Sequence, residues 1–181
     1  MEFKDIQSHF ETHHRGVITI FQPNGAAHSS IVVCGLIRKA AFVIVRGTSI
    51  KVRNLRNDPR CTVMSVTKNW RTCAVVEGQA TLMDYRNTDP EKMRVELREV
   101  FRACGDKDHP DWEEYDQAMV EQDAVIVLVK PTEFMGNYSR DYAKRNAASD
   151  KLTNSPRWLT PLTRTFSNFM SFSSLLSVIS P

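Results

Sequence analysis

Between residues 46 and 60 the chain reads Arg46-Gly47-Thr48-Ser49-Ile50-Lys51-Val52-Arg53-Asn54-Leu55-Arg56-Asn57-Asp58-Pro59-Arg60, and here residue type and spacing converge on a chemistry. An apolar run, residues 41–45, switches abruptly to a cation-rich segment with helical spacing. Thr48 is suited to cap a helix, its hydroxyl accepting from an orphan amide of the first turn. Ser49 and Lys51 then fall in that first turn, where free N–H groups and the helix dipole favour an anion. Leu55 sits one helical turn beyond Lys51. Asp58-Pro59 ends the helix, because a residue preceding proline avoids the α region. A strand that delivers a helix start decorated with Thr, Ser and Lys is a phosphate cradle. The same spacing also fits a short solvated basic helix bridging two strands.

The elements that must position this segment can be read on either side of it. Residues 5–14 predict a short helix, with Ile6 and Phe10 on one face. A β-branched run, residues 16–22, is closed by Pro23-Asn24-Gly25, and Asn-Gly ahead of a second strand is a hairpin signal because both residues tolerate positive φ. Residues 28–34 supply the returning strand, and residues 36–45 continue the sheet with a turn around Arg38-Lys39. After the basic helix come a strand over 61–66, a turn at Lys68-Asn69 and a long strand over 72–83. Gly78 in the middle of that strand suggests a bulge or barrel corner.

Asp89-Pro90 opens a helix, with Asp as cap and Pro at the first position. Met93, Leu97, Val100 and Phe101 form its apolar stripe and Val95 lies off it, with Gly105 as the stop after Cys104. Asp111-Trp112-Glu113-Glu114 resembles a capping box for a second helix running through Met119. Residues 123–129 form a nearly continuous apolar strand ended by Lys130-Pro131. Short antiparallel strands, hairpins, one bent strand and helices at the edges predict a small, mainly β barrel.

Composition sets the bounds. A chain of 181 residues is one domain's worth and buries a core without staples. Residues 1–138 carry 18 Lys/Arg against 19 Asp/Glu, whereas residues 139–181 carry 6 against 2. The body is thus near neutral, which argues against a nucleic-acid partner. The division predicts a barrel domain over 1–138 and a basic tail over 139–181, with nine Ser and no Gly in the tail. The first half of that tail reads as a linker or disordered segment, and residues 166–179 as an amphipathic helix docking on the body or a partner, or as plain disorder. Cys34, Cys61, Cys73 and Cys104 form no CxxC pair and read as small hydrophobes in a reducing compartment. The charged start Met1-Glu2-Phe3-Lys4-Asp5 and the absence of a long apolar run predict a cytoplasmic protein and argue against a membrane role.

In order, Arg15-Gly16-Val17-Ile18, the Pro23-Asn24-Gly25 turn, Ser29-Ser30 and residues 51–60 resemble the pyridoxamine 5'-phosphate oxidase-like split β-barrel family. The similarity is strongest to its branch of small flavin- or deazaflavin-dependent reductases. Glu77-Gly78-Gln79-Ala80 is similar to that branch's EGxA strand, and residues 111–120 to a helix of members that bind coenzyme F420. The resemblance spans residues 10–138. It implies a homodimer of six-stranded antiparallel split β-barrels, FMN-binding-like, with coenzyme F420 or FMN in a groove between subunits. Carried over, Lys51 binds the cofactor phosphate, Thr48 and Ser49 add hydroxyl and amide donors, and Arg46 adds charge. Ser30, with backbone from Ile31 and Val32, lines the ring-binding strand. Trp70 stands where members often place an aromatic near the cofactor; its other reading is a loop aromatic covering the barrel end. Ser49 departs from the family, since many members have Arg there, and Arg46 is the residue that could compensate. His28 reads as a satisfied polar residue beside the hairpin turn.

The resemblance implies an oxidoreductase that moves a hydride between a bound deazaflavin or FMN and a conjugated organic substrate. No Ser/His/Asp, HExxH or paired-carboxylate arrangement competes with it, because the cofactor carries such chemistry. Two alternatives stay open: a non-catalytic carrier of a flavin-like or haem-like ligand, and a pyridoxamine-phosphate oxidase using Arg140, Lys144 and Arg145.

Overall fold

A computed structural model describes residues 3–104 and 108–136. In chain order the elements are α1 (Phe3–Phe10), β1 (Arg15–Phe21), β2 (Ala27–Ile37), β3 (Ala40–Arg46), α2 (Ile50–Asn57), β4 (Arg60–Val66), β5 (Cys73–Met83), α3 (Pro90–Ala103), α4 (Trp112–Glu121) and β6 (Ala124–Gly136). All strand pairs are antiparallel, and the order β1-β2-β3-β6-β5-β4 closes on itself as a six-stranded barrel. The expected tail, its docking helix, Gly105 and the basic residues Arg140, Lys144 and Arg145 lie outside the described residues.

Strand alternation sorts the sheet into two faces. Ile18, Ile20, Val32, Cys34, Val43, Val63, Val76 and Val127 point inward and are buried. Burial pushes the Cys34 and Cys61 thiols up to about 12, so both behave as inert apolar fillers. Residues of opposite parity, Phe42, Ile44 and Ile126, face outward and are buried too, on the side where α3 packs against β2 and α4 against β6. The α3 stripe of Met93, Leu97, Val100 and Phe101 is buried, and Val95 is left 55% exposed.

Turn chemistry explains the connections. Gly25 has φ +81°, and Ala26 N–H donates to the Asn24 side chain. Arg38 and Lys39 take φ of 48° and 66°, the left-handed pair that a two-residue hairpin needs. That strain is offset by a bidentate Arg38–Glu96 pair to α3, with one N···O distance of 3.0 Å. Gly78 is the bulge: β6 inserts the extra residue Thr132 opposite Glu77-Gly78. A Cβ at Gly78 would lie 2.0 Å from the Lys130 carbonyl.

Two expectations need correction. β6 does not stop at Lys130-Pro131 but continues to Gly136. Proline is tolerated because it sits at the bulge, where the ladder is already broken. The capping box of α4 is half-formed. Asp111 accepts from Glu113 and Glu114 N–H (2.9 and 3.0 Å), but its own N–H donates to His109 Nδ1 at 3.1 Å instead of to Glu114.

Helices plug both mouths. Ile6 and Phe10 of α1 enter one, Val52 and Leu55 of α2 the other. The α1 plug is pinned by fully buried His9, whose Nε2 donates to the Ser65 carbonyl at 3.1 Å, and by Ser65 Oγ donating to the His13 carbonyl at 2.5 Å. Burial, and then the neighbouring His13, lower the His9 pKa to about 4, against the pull of the Ser65 carbonyl. The unfolded imidazole titrates near 6.5. The neutral His9 therefore contributes fully above about 6.5, and that stability is lost as pH falls towards and through about 4. Urea unfolding at neutral and at acid pH should show wild type losing up to about 3 kcal/mol more than His9→Gln. An identical pH dependence in the two proteins would show that His9 does not titrate in this window.

Candidate functional site

The site is built where β3 hands over to α2. Gly47 N–H donates to the Asp123 carbonyl at 2.9 Å, and a Cβ there would lie 2.2 Å from Asp123 Oδ2. Only glycine lets the end of β3 pass this close to the start of β6. Ser49 N–H then closes a turn onto the Arg46 carbonyl at 3.0 Å. This turn consumes Thr48, so the helix begins one residue later than its sequence suggests. Ser49, not Thr48, is the N-cap: its φ and ψ are −67° and 149°, and its Oγ accepts from Val52 N–H at 3.4 Å. Thr48 is exposed in the preceding turn, and Lys51 is the second residue of the helix.

α2 buries Lys51, Val52, Asn54 and Leu55, one continuous helical face. Lys51 is only 7% exposed, and no carboxylate among the described residues lies within ion-pair distance of it. Burial lowers its pKa from the usual lysine value. Arg46 is half-buried and, among the described residues, makes no ion pair and offers a buried Nε that finds no hydrogen-bond acceptor. Two cations thus stand uncompensated beside the free N–H groups of a helix start. The solvated-basic-helix reading holds for the opposite face, where Arg53 is exposed and Arg56 pairs with Asp84 at 2.6 Å. It does not hold for Lys51.

The second component is a seam in the barrel. β2 pairs with β1 along residues 27–33 but with β3 only along residues 34–37. The ends of the β1–β2 ladder are Gln22 N–H to Ala26 and Cys34 N–H to His14 (both 2.9 Å), so even-numbered residues of β2 spend their backbone on β1. Ser29 and Ile31 therefore turn their N–H and C=O groups the other way, into the seam facing the end of β3. Of the expected ring-lining residues, Ile31 offers its backbone here. Val32 does not, because its backbone bonds β1 and its side chain is 5% exposed inside the barrel. Ser30 also points inward, its hydroxyl meeting His28 Nε2 at 3.1 Å, which satisfies His28 as expected. The seam, Arg46 and Lys51 share one mouth.

Trp70 does not join them. It lies on the β4–β5 turn at the α1 mouth, a strand's length of about 20 Å from α2. At 75% exposed it does not cover that barrel end either.

Sequence reasoning passed over Asp84. It is 1% exposed, receives Arg56 from α2, and accepts Arg86 and Asn87 N–H (2.9 and 3.2 Å). Burial opposes its charge, but the Arg56 guanidinium and these amides outweigh it and hold the carboxyl below the usual range. It ties α2 to the end of β5; the Asp-x-x-Asn spacing was the available signal. A cleft of about 280 Å³ lies between the β1–β2 hairpin and the end of α2, lined by Phe21, Asn54, Asp58 and Arg60 among others. Its charges are spent: Arg60 is bidentate on Asp58 and lies 4.8 Å over the Phe21 ring.

No family model matches the sequence. Solved structures do match the fold. A conserved hypothetical protein of Mycobacterium tuberculosis superposes with a TM-score of 0.63 at 17% identity, covering 79% of this chain and 88% of its own. A pyridoxamine 5'-phosphate oxidase-related, FMN-binding protein of Nostoc punctiforme gives 0.51 at 15% identity over 74% and 80%. An F420 reductase gives 0.50 at 17% identity over 71% and 94%. The fold is that of the pyridoxamine 5'-phosphate oxidase-like split barrels.

Keeping an ammonium buried without a counter-charge costs stability at neutral pH. Because the folded pKa is lowered, the unfolded chain holds that proton more tightly, and stability rises with pH between the two values. Lys51→Met should therefore raise the thermal unfolding midpoint at neutral pH. A lowered midpoint would mean that the ammonium has a structural partner.

Proposed function

We propose that the chain binds a phosphate-bearing flavin-type cofactor, coenzyme F420 or FMN, and works as an oxidoreductase on a conjugated organic substrate. The observation that carries this reading is Lys51: a buried ammonium at the start of a helix, beside Arg46, with no carboxylate partner for either among the described residues. An anion at that point compensates both charges and accepts from the first-turn amides. Ser49 stays engaged as the helix cap, so Lys51 and Arg46 supply the charge that many members take from an arginine at that position. The Ile31 N–H and C=O in the seam offer a donor and an acceptor to the edge of a planar ring, while its side chain, 70% exposed, shields that edge from water. When bound, the ring supplies the hydride chemistry and the protein supplies position and dryness.

The reading includes a homodimer with the cofactor between subunits. The reading takes a cytoplasmic setting, where cysteines stay as thiols; no helix among the described residues is long and apolar enough to cross a membrane. A carrier that binds without turnover is the second reading. It is favoured by the phosphate contact that Ser49, used as a cap, does not make; reduced cofactor with a panel of conjugated acceptors separates the two.

Titration of the purified protein with F420 and with FMN, followed by visible absorbance, tests the proposal. At least one should bind, and Lys51→Ala should lose about 1.5–3 kcal/mol of binding, tenfold or more. Affinity should also fall as pH rises through the lowered Lys51 pKa, since only the ammonium attracts the phosphate. Binding of neither cofactor below about 100 μM would overturn the reading.

A further inference from the structure

The turn between β5 and α3 holds both ends of α2. It is built from its own hydrogen bonds: Asp84 accepts Arg86 and Asn87 N–H, Asn87 Oδ1 accepts Asp84 N–H at 3.0 Å, and Asn87 Nδ2 donates to the Leu82 carbonyl at 2.8 Å. From this fixed turn Asp84 takes Arg56, near the end of α2. Arg86 extends its guanidinium the other way, to Asp123 Oδ2 at 2.7 Å. Asp123 in turn lies against Gly47, the residue that leads the chain into α2. Its carbonyl accepts Gly47 N–H, and its carboxylate stands where a Cβ would be.

A carboxylate is thus set at the edge of the place where Arg46 and Lys51 stand uncompensated. Arg46 pairs with Ala124 in the β3–β6 ladder, so Asp123 is one register step away from it. A diagonal step of this kind is within reach of a long side chain. The backbone does not ask for the charge. Asp123 has a φ of 46°, a conformation that asparagine takes as readily as aspartate. Nor does the ion pair do much for the fold, since its side chains are 63% and 32% exposed and wet pairs contribute little. The charge is nevertheless felt nearby. After burial, the carboxylates of Asp116 and Asp123 are what raise the Tyr85 hydroxyl above its ordinary value.

We propose that Arg86 is a positioning residue of the anion site. It occupies Asp123, so that this carboxylate neither pairs with Arg46 nor repels an anion at the α2 start. This rests on the cofactor reading above and adds how the site stays cationic with an acid at its edge. With Arg86 in place the carboxylate is satisfied, and Arg46 keeps its donors for a phosphate. With Arg86 removed, Arg46 takes the carboxylate and the phosphate loses a partner. Arg86 touches no ligand; it acts through Asp123.

Full-length protein titrated with FMN and with F420 tests this, each compared with the same ring lacking its phosphate (riboflavin for FMN). Arg86→Ala should weaken binding of the phosphorylated ligand roughly tenfold and leave binding of the phosphate-free ring unchanged. Arg86→Lys, which keeps the charge, should bind as wild type does. Arg86→Ala combined with Asp123→Asn should recover wild-type affinity, because the acid that captures Arg46 is gone and asparagine keeps the left-handed turn. Asp123→Asn alone controls for that turn and should bind no more weakly than wild type. Unchanged affinity in Arg86→Ala overturns the inference. So does a loss that Asp123→Asn leaves unrepaired, or one that extends equally to the phosphate-free ring. A wild type that binds neither cofactor overturns the cofactor reading, and the role of Arg86 with it.

Discussion

The interior of this barrel is filled by β-branched side chains, and that constraint decides where everything else goes. Six strands enclose room for Ile18, Val43, Val63, Val76 and Val127 and for little more. Ligand chemistry must then be built on what closure leaves over: the mouths, the outward faces and the point where two neighbouring strands part. The β2–β3 ladder ends at the Cys34 and Val43 pair. Beyond it the backbone of Ile31 has lost a neighbour, and the end of β3 is free to turn into α2.

Lys51 shows what this arrangement costs. A helix start is an obvious place for a cation-bound anion, but Lys51 is also turned into the barrel mouth beside Val52 and Leu55. The helix cannot rotate the ammonium out to solvent without withdrawing those two from the core. Arg56 on Asp84 adds a second tether from the far end of the same helix. The unfavourable burial of one charge is thus held in place by favourable burial of its neighbours.

The outer helices divide the sheet unequally. The guanidinium groups of Arg98 and Arg102 lie over the Trp112 ring, 5.0 and 4.7 Å from its centroid, and Arg98 reaches Asp116, which clamps α4 to α3. Tyr115 hydroxyl donates to the Leu97 carbonyl within the same contact at 3.1 Å. These interactions spend the aromatic residues of α4 on packing and give residues 111–120 a structural task. They also commit both helices to one face of the barrel.

Much of this architecture was legible in the chain because its signals are local. Asn24-Gly25 makes its turn wherever it occurs, Gly78 admits a carbonyl that no Cβ tolerates, and Asp89-Pro90 opens a helix from within four residues. The missed features depend on residues far apart in sequence. Ser49 caps α2 because Gly47 must first clear Asp123, and β6 runs through Pro131 because β6 bulges beside it at Thr132, opposite Glu77 and Gly78. Residue type marked Lys51 as a candidate, but only the docking of α2 into the barrel mouth buried it, away from the carboxylates of the described residues. Trp70 reads the same at either end of a barrel; strand direction alone put it opposite α2. Sequence determined which residues could bind and turn, and tertiary structure decided which of them share a mouth, because register and helix docking are set by contacts that no local pattern records.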